Sequence, residues 1–179
     1  MTLYTTSQSK LVHFFTADTR SAPLWLVVRV CLGWEWVSAG YEKLMNPAWF
    51  GSDAGAALTG FVQGAVSKTG GAHPDVQMWY ASFLQQVVLP HVNIWSHAVV
   101  LGEMAIGLGL IVGLVTGIAA FFGFFMNLNF MLAGTVSTNP IMMVLAILIM
   151  TAWRVAGYWG LDRYTSRIRR SLQLGLNRV

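Results

Sequence analysis

The chain has 179 residues, of which 55% are hydrophobic and only 10% are charged, and its formal net charge is +4. A soluble domain carries about 25% charged residues, so this composition leaves too little polar surface for a water-exposed globule. Intrinsic disorder is also excluded, because it requires low hydrophobicity and high charge. Length and composition therefore predict one membrane-embedded domain.

Four apolar stretches are long enough to cross a hydrocarbon core, which takes about 20 helical residues. They predict an all-α membrane protein, a four-transmembrane-helix bundle with spans at 23–44, 93–115, 117–136 and 139–159. A cleaved signal peptide is the alternative for the first span. Arg29 and Glu35 interrupt its apolar core, which disfavours that alternative.

The basic residues predict the orientation of the bundle. Five of the eleven Lys and Arg residues lie at or after Arg163, and Lys10 and Arg20 precede the first span. Basic residues accumulate on the cytoplasmic side, so both termini are predicted to be cytoplasmic, and the charge indicates contact with lipid rather than nucleic acid. The predicted domains are a cytoplasmic segment 1–22, a membrane domain 23–160 and a basic amphipathic tail 161–179.

The long external loop, 45–92, is too aromatic for a flexible linker. Two segments, 57–66 and 76–89, are each predicted to form a short helix at the membrane interface, where amphipathic rings prefer to lie. The aromatic residues that favour this interpretation are Trp49, Phe50, Phe61, Trp79, Tyr80 and Phe83.

Four ionisable residues fall at overlapping depths inside the predicted spans: Arg29, Glu35, Glu103 and Arg154. A charged side chain in the hydrocarbon core is energetically unfavourable, so such residues face protein or water. We therefore expect these four to gather toward one interior cavity. One interpretation is structural, in which the charges join the helices and Arg154 extends to the inner interface. The other is functional, because a buried carboxylate can exchange a proton with a ligand that changes charge, such as a quinone.

Helical spacing places two faces on the first span. Glu35 and Glu42 lie on one of them, and the glycines on the other allow close approach of a second helix or a flat ligand. The residues on that second face are Arg29, Gly33, Trp36, Gly40 and Lys43. In the second span, Gly109, Gly113 and Gly117 form a ridge of the kind used in helix packing.

The sequence contains no motif for metal, haem or nucleotide binding. His91 and His97 are six residues apart, hence on different helix faces, and the single cysteine, Cys31, excludes an internal disulfide. There is no Cys-x-x-Cys-His, no Gly-x-Gly-x-x-Gly turn and no Walker loop. We therefore predict no metal or haem.

Two stretches carry a family resemblance. The run 29–44, RVCLGWEWVSAGYEKL, followed by NPAWFG at 46–51, resembles the DoxX/DoxD family of small four-helix membrane proteins, and GEMAIGLGLIVGLVTG at 102–117 is similar to its second signature. The likeness covers about residues 23 to 160. It implies a multi-pass protein of the prokaryotic plasma membrane.

The DoxD branch of the family implies the membrane subunit of a thiosulfate:quinone oxidoreductase. On that expectation, Arg29 and Glu103 hold and protonate the quinone oxygens, Glu35 relays a proton, and Lys43 attracts an anionic substrate such as thiosulfate. Packing against the quinone ring is expected of the tryptophans, namely Trp34, Trp36 and Trp49. The chain has no counterpart of the soluble DoxA partner, so a partner subunit is implied.

Two other function classes stay open. A non-catalytic accessory subunit of a larger membrane electron-transfer complex is favoured by the missing redox cofactor and by the glycine ridge. A small-solute transporter is disfavoured, because the chain lacks the repeated halves and broken helices that such folds usually show.

Overall fold

The computed structural model describes residues 9–165, which form helices joined by turns, without a strand in that range. The predicted all-α class is therefore confirmed for this part of the chain. The helices are α1 Lys10–Ala17, α2 Ala22–Leu44, α3 Ala56–Val66, α4 Met78–Phe83, α5 Val92–Val112, α6 Thr116–Leu132, α7 Asn139–Thr151 and α8 Trp153–Ala156.

The helices of the predicted spans begin and end close to the expected positions. Pro23 lies in the first turn of α2, where its fixed φ fits a helix start. The third predicted span ends earlier than expected, at Leu132, because Gly134 and Ser137 adopt positive φ values of 73° and 40° and reverse the chain. The fourth is divided into α7 and α8, which meet at Ala152.

The external loop differs from its prediction in the second of its two helices. Helix α3 matches the segment predicted at 57–66. The helix predicted at 76–89 is not separate, because a π-helical turn, Leu84–Val88, and a 3₁₀ turn, Leu89–His91, join α4 to α5. Pro90 lacks an amide hydrogen, so the irregular turns fall beside the point where an α-helical hydrogen bond is impossible.

By length and composition, one helical stretch among residues 9–165 is long and apolar enough to cross a membrane: Met78–Val112, 35 residues. The apolar helices α6 and α7 are shorter. Helix α2 has 23 residues but contains four charged side chains, those of Arg29, Glu35, Glu42 and Lys43. The four crossings therefore stay a prediction.

Helix α1 lies within the segment predicted only as cytoplasmic, and the sequence interpretation missed it. The Ser9 side chain caps it by accepting a hydrogen bond from the backbone N–H of Val12. The indole of Trp25 donates to the carbonyl of Phe15 at 2.8 Å and so attaches α1 to α2. From residue 166 onward, the predicted basic tail lies outside the described residues.

Two apolar clusters stabilise the molecule. The larger one fills the space between α2, α5, α6, α7 and α8 around Leu32, Trp36, Leu110 and Ile149. The smaller one joins α3 and α4 to the outer end of α6 and contains Val62, Val76 and Tyr80.

Polar contacts hold the helices of the external loop to the end of α6. The Tyr80 hydroxyl lies 3.0 Å from both the carbonyl and the side-chain oxygen of Asn129, and the Lys68 ammonium donates to the Gly134 carbonyl at 2.7 Å. Tyr80, predicted to lie at the membrane interface, is instead buried, whereas its neighbour Trp79 is exposed.

Candidate functional site

The geometry of the site starts from the crossing of α2 and α5. These helices are antiparallel and touch through Gly33 and Gly107, where a Cβ atom added to either glycine would lie within 3 Å of the other's carbonyl oxygen. The sequence allowed either a second helix or a flat ligand against the glycines on the Arg29 face of α2. In the structure a helix, α5, lies there. This contact sets the register between the charged residues of both helices.

Lys43 and Glu103 form a buried ion pair on the side of this crossing toward the C-terminal end of α2. The Lys43 ammonium donates to Oε1 and Oε2 of Glu103 at 3.0 and 2.9 Å. The Glu103 side chain is 1% exposed and that of Lys43 is 23% exposed. Burying a charge is unfavourable unless it is paired, and here each oxygen of the carboxylate has the ammonium as a donor.

The surroundings of the pair fix its position. Gly40 brings the α2 backbone against Glu103 and Met104, since an added Cβ would approach both side chains to about 3 Å. The Lys43 ammonium lies 5.6 Å from the ring centroid of Trp49, and the Trp49 carbonyl accepts a hydrogen bond from Ser96 at 2.6 Å. A cation and an aromatic ring at this distance attract one another.

Between this pair and the other end of the bundle, two buried polar side chains have no hydrogen-bond partner among residues 9–165: the indole N–H of Trp36, which lies against Gly123, and the amide of Asn127. Met126 packs against Gly102, and because α5 and α6 are antiparallel, the residues that follow them, Asn127 and Glu103, are offset by only about 3 Å along the bundle axis. Buried polar groups are normally paired, so these two side chains are candidates for contact with a polar ligand or water.

Arg29 lies elsewhere, in a cluster that we call the inner junction: Arg29, Gly113, Thr116, Gly160 and Asp162. The Arg29 side chain is buried, and its guanidinium donates to the Trp159 carbonyl at 3.2 Å and lies between Gly113 and Gly160. The Asp162 carboxylate accepts from the backbone N–H groups of Val115 and Thr116 at 2.6 and 2.9 Å.

The prediction that the four charged side chains gather toward one interior cavity is therefore wrong. Arg29 and Glu103 each lie four residues before their glycine of the α2–α5 crossing, so in antiparallel helices they diverge, about 12 Å apart along the axis. Glu35 and Trp34 lie on the exposed face of α2. Arg154 is also exposed, with its guanidinium 5.2 Å from the ring centroid of Trp153.

The structure thus brings together three of the residues predicted for the site, Lys43, Glu103 and Trp49, with Trp36 one turn of α2 inward of Gly40. The sequence interpretation missed the pairing of Lys43 with Glu103. That pairing depends on the Gly33–Gly107 register, which places Glu103 beside the C-terminal half of α2 and which the sequence alone does not specify. Within the part of the chain that the structure describes, no group of three or more His, Cys, Asp or Glu side chains could hold a metal ion.

Comparison with known proteins identifies the family. The DoxX family model matches residues 24–136, more than half of the chain. The chain belongs to the DoxX family. DoxX is a membrane family associated with oxidoreductase-related functions. Comparisons with curated proteins and with solved structures return no match. The DoxX match includes the Lys43–Glu103 pair, whereas Gly160 and Asp162 of the inner junction lie beyond it.

Proposed function

We propose that this DoxX protein is a quinone-interacting membrane subunit of an oxidoreductase, which passes electrons from thiosulfate or another reduced sulfur donor, held by a partner subunit, to membrane quinone. The observation that supports it is the buried Lys43–Glu103 pair, together with the unpaired buried side chains of Trp36 and Asn127. Ionisable residues inside a membrane protein are functional candidates by default.

The proposal includes four crossings, with both termini cytoplasmic in the prokaryotic plasma membrane. At about 1.5 Å per residue, α2 and α5 are each more than about 30 Å long, and α7 with α8 extends about 27 Å. The helices also expose large apolar side chains, which suit contact with lipid. These include Ile118, Phe121, Phe122 and Phe125 on α6 and Ile141, Val144 and Leu148 on α7.

The side chains of the site include hydrogen-bond donors of the kind that the head group of a quinone requires. A quinone has two carbonyl oxygens, which accept hydrogen bonds, and its reduction to quinol takes two electrons and two protons. The Lys43 ammonium, the Asn127 amide and the Trp36 indole are donors that such oxygens need. The aromatic face of Trp49 lies beside the ammonium and offers a surface for the ring.

Lys43 and Glu103 also have roles in the protonation of the reduced quinone. Electrons arrive from the sulfur donor, and the ammonium of Lys43 supplies a proton to a reduced quinone oxygen. Lys43 is partly exposed near the outer end of α2, so it regains its proton from the outer aqueous side. The Glu103 carboxylate stabilises the ammonium between turnovers.

These roles differ from those expected from the sequence. Arg29 is now assigned to the inner junction and Glu35 to the exposed face of α2, so neither is placed at the quinone. Lys43 takes the position expected of Arg29. Trp34 is 64% exposed, and packing against the quinone ring passes from it to Trp36 and Trp49.

The test is quinone reduction by membranes that contain the partner, with decylubiquinone as acceptor. We expect Glu103→Gln to lower turnover by about 10²-fold, because the Lys43 ammonium loses the carboxylate that stabilises it as the proton donor, and 10² is the usual scale of one proton-transfer group. Glu42→Gln is the matched control, because Glu42 is exposed on the other face of α2 and should leave turnover unchanged.

A double variant separates function from folding. Removing one partner of a buried ion pair is strongly destabilising, whereas replacing both by apolar residues is often neutral. Lys43→Met with Glu103→Leu should therefore fold, yet fail to reduce quinone. If it folds and retains turnover, the pair only joins α2 to α5, and the accessory-subunit alternative replaces this proposal.

A further inference from the structure

The exposed face of α2 carries a carboxylate that nothing in residues 9–165 neutralises. Glu35 lies near the middle of α2 and is exposed, and no ion pair of this side chain occurs within that part of the chain. Its neighbours on the same side of the helix are apolar or weakly polar and also exposed: Leu24, Val27, Cys31 and Trp34.

The position of Glu35 makes contact between this face of α2 and lipid acyl chains unfavourable. At 1.5 Å per residue, Glu35 lies about 20 Å from the start of α2 and about 14 Å from its end. A glutamate side chain is too short to reach either surface from there, unlike the long side chains of Lys and Arg. A carboxylate at such a depth faces protein or water in other membrane proteins.

We infer that this face binds a transmembrane helix of a partner protein, and that the partner helix carries a Lys or Arg side chain at the depth of Glu35. The inference rests on the proposed crossing of the membrane by α2, and names the chemistry of the proposed partner; it does not depend on the quinone site. Charge complementarity identifies the occupant, because a cation both neutralises Glu35 and satisfies its oxygens.

A second copy of this chain is the weaker candidate. A two-fold contact through this face would place one Glu35 against the other, and two like charges repel. Among the helices of the predicted spans (α2, α5, α6, α7 and α8), the exposed cation is Arg154, which lies at the end of the bundle that holds the inner junction, because its neighbour Trp153 packs against Gly117 at the start of α6. That depth does not match Glu35.

Cys31, the single cysteine of the chain, is exposed one helical turn from Glu35 and provides the test. The full-length protein is placed in phosphatidylcholine vesicles with a 23-residue leucine–alanine peptide, of the length of α2, that carries a central lysine and a cysteine one turn away. The measurement is the yield of the disulfide between Cys31 and the peptide under mild oxidation. The matched peptide has leucine in place of lysine.

We expect the lysine peptide to be trapped about five-fold more than the leucine peptide, the scale of one interhelical polar contact. Glu35→Gln should abolish that preference, and Glu42→Gln, near the end of the same helix, should retain it. Equal trapping of the two peptides overturns the inference. So do Cys31–Cys31 dimers that form without peptide and outcompete it, since these show that a second copy covers the face.

Two readouts separate this inference from the quinone proposal. Labelling of Cys31 in intact cells by a membrane-impermeant maleimide would contradict the crossing of α2 and overturn the inference. Glu103 belongs to α5, which packs against the opposite side of α2. Glu103→Gln should therefore leave the preference for the lysine peptide unchanged, whatever its effect on quinone reduction. Loss of the lysine preference with normal quinone turnover counts against the partner helix alone.

Discussion

Gly33 and Gly107 lie backbone to backbone where α2 crosses α5: a Cβ on Gly33 would lie 2.9 Å from the carbonyl oxygen of Gly107, and one on Gly107 would lie 2.7 Å from that of Gly33. Neither position has room for a side chain. Because the contact fixes how the two helices slide along each other, it also decides that Glu103 meets Lys43 and not Arg29.

Replacing Gly107 by alanine should open this crossing. The new methyl group would meet the backbone of Gly33 and Val37, which cannot move as a flexible side chain can, so we expect Gly107→Ala to destabilise the protein by about 1–3 kcal/mol. Thermal unfolding in detergent measures the change. Gly60→Ala is the control, since nothing lies within 4 Å of its added Cβ and alanine favours the helix. Equal stability of the Gly107 variant and the wild type would contradict the packing described.

Two features of the inner junction require glycine at position 113. The φ of Gly113 is +69°, and its Cα faces the Arg29 guanidinium. We expect Gly113→Ala to cost more than the same change at Gly71, where φ is +92° and nothing lies within 4 Å. Both variants have the backbone strain of about 1 kcal/mol, but only Gly113→Ala displaces Arg29. Similar midpoints of thermal unfolding for the two variants would show that Arg29 adapts freely.

Asp162 should act as the N-terminal cap of α6 from a distant part of the chain. Its carboxylate accepts from two backbone N–H groups and is the negative charge that stabilises the buried cation of Arg29. We expect Asp162→Ala to lower stability by about 1–2 kcal/mol, as the loss of a helix cap does. Asp53→Ala, in the exposed loop before α3, should change stability little in the same unfolding assay.

The turn between α1 and α2 should respond to acid. Two hydrogen bonds from the Arg20 guanidinium to Asp18, at 2.8 and 2.6 Å, and one from the Arg20 backbone hold the pKa of Asp18 below its ordinary value of 3.8. A lowered pKa means that the charged form favours the folded state. Its contribution is full above the ordinary value and is lost as the pH falls through the lowered one.

Asp18→Asn should accordingly be less stable than the wild type at neutral pH, with the difference shrinking as the pH falls below the ordinary range of Asp. Amide hydrogen exchange at the Arg20 turn measures this locally. Asp75→Asn, at an exposed position in the external loop, is the matched control and should show no such dependence. A difference between Asp18→Asn and wild type that persists in acid would assign it to shape rather than charge.

Much of the helical layout could be predicted from sequence. Apolar runs, Pro23 at the start of α2 and the glycines that follow the helices are local signals, and the start of each long helix was placed within one residue. Helical spacing also predicted the two faces of α2 correctly. Glu35 and Glu42 are exposed, and the residues of the other face that are buried are Arg29, Gly33, Trp36 and Gly40. Each of these inferences needs only one helix at a time.

The contacts between helices could not be predicted in this way. Several glycines of α5 could have met Gly33, and each choice shifts the register by a turn and gives Glu103 a different partner. The glycine ridge illustrates this, because Gly109 faces Ala119, Gly113 faces Arg29 and Gly117 faces Trp153, so its members pack against three different elements. A residue's depth along its own helix therefore did not identify which charge it would meet.

The order of synthesis gives the inner junction a further meaning. The crossing at Gly33 and Gly107 can form as soon as α2 and α5 have left the ribosome. Arg29 and the first turn of α6 wait for Trp159 and Asp162, which are translated some fifty residues later than Gly107. A chain that stops before Trp159 would thus have the α2–α5 crossing in place, whereas the Arg29 guanidinium would lack its carbonyl partner.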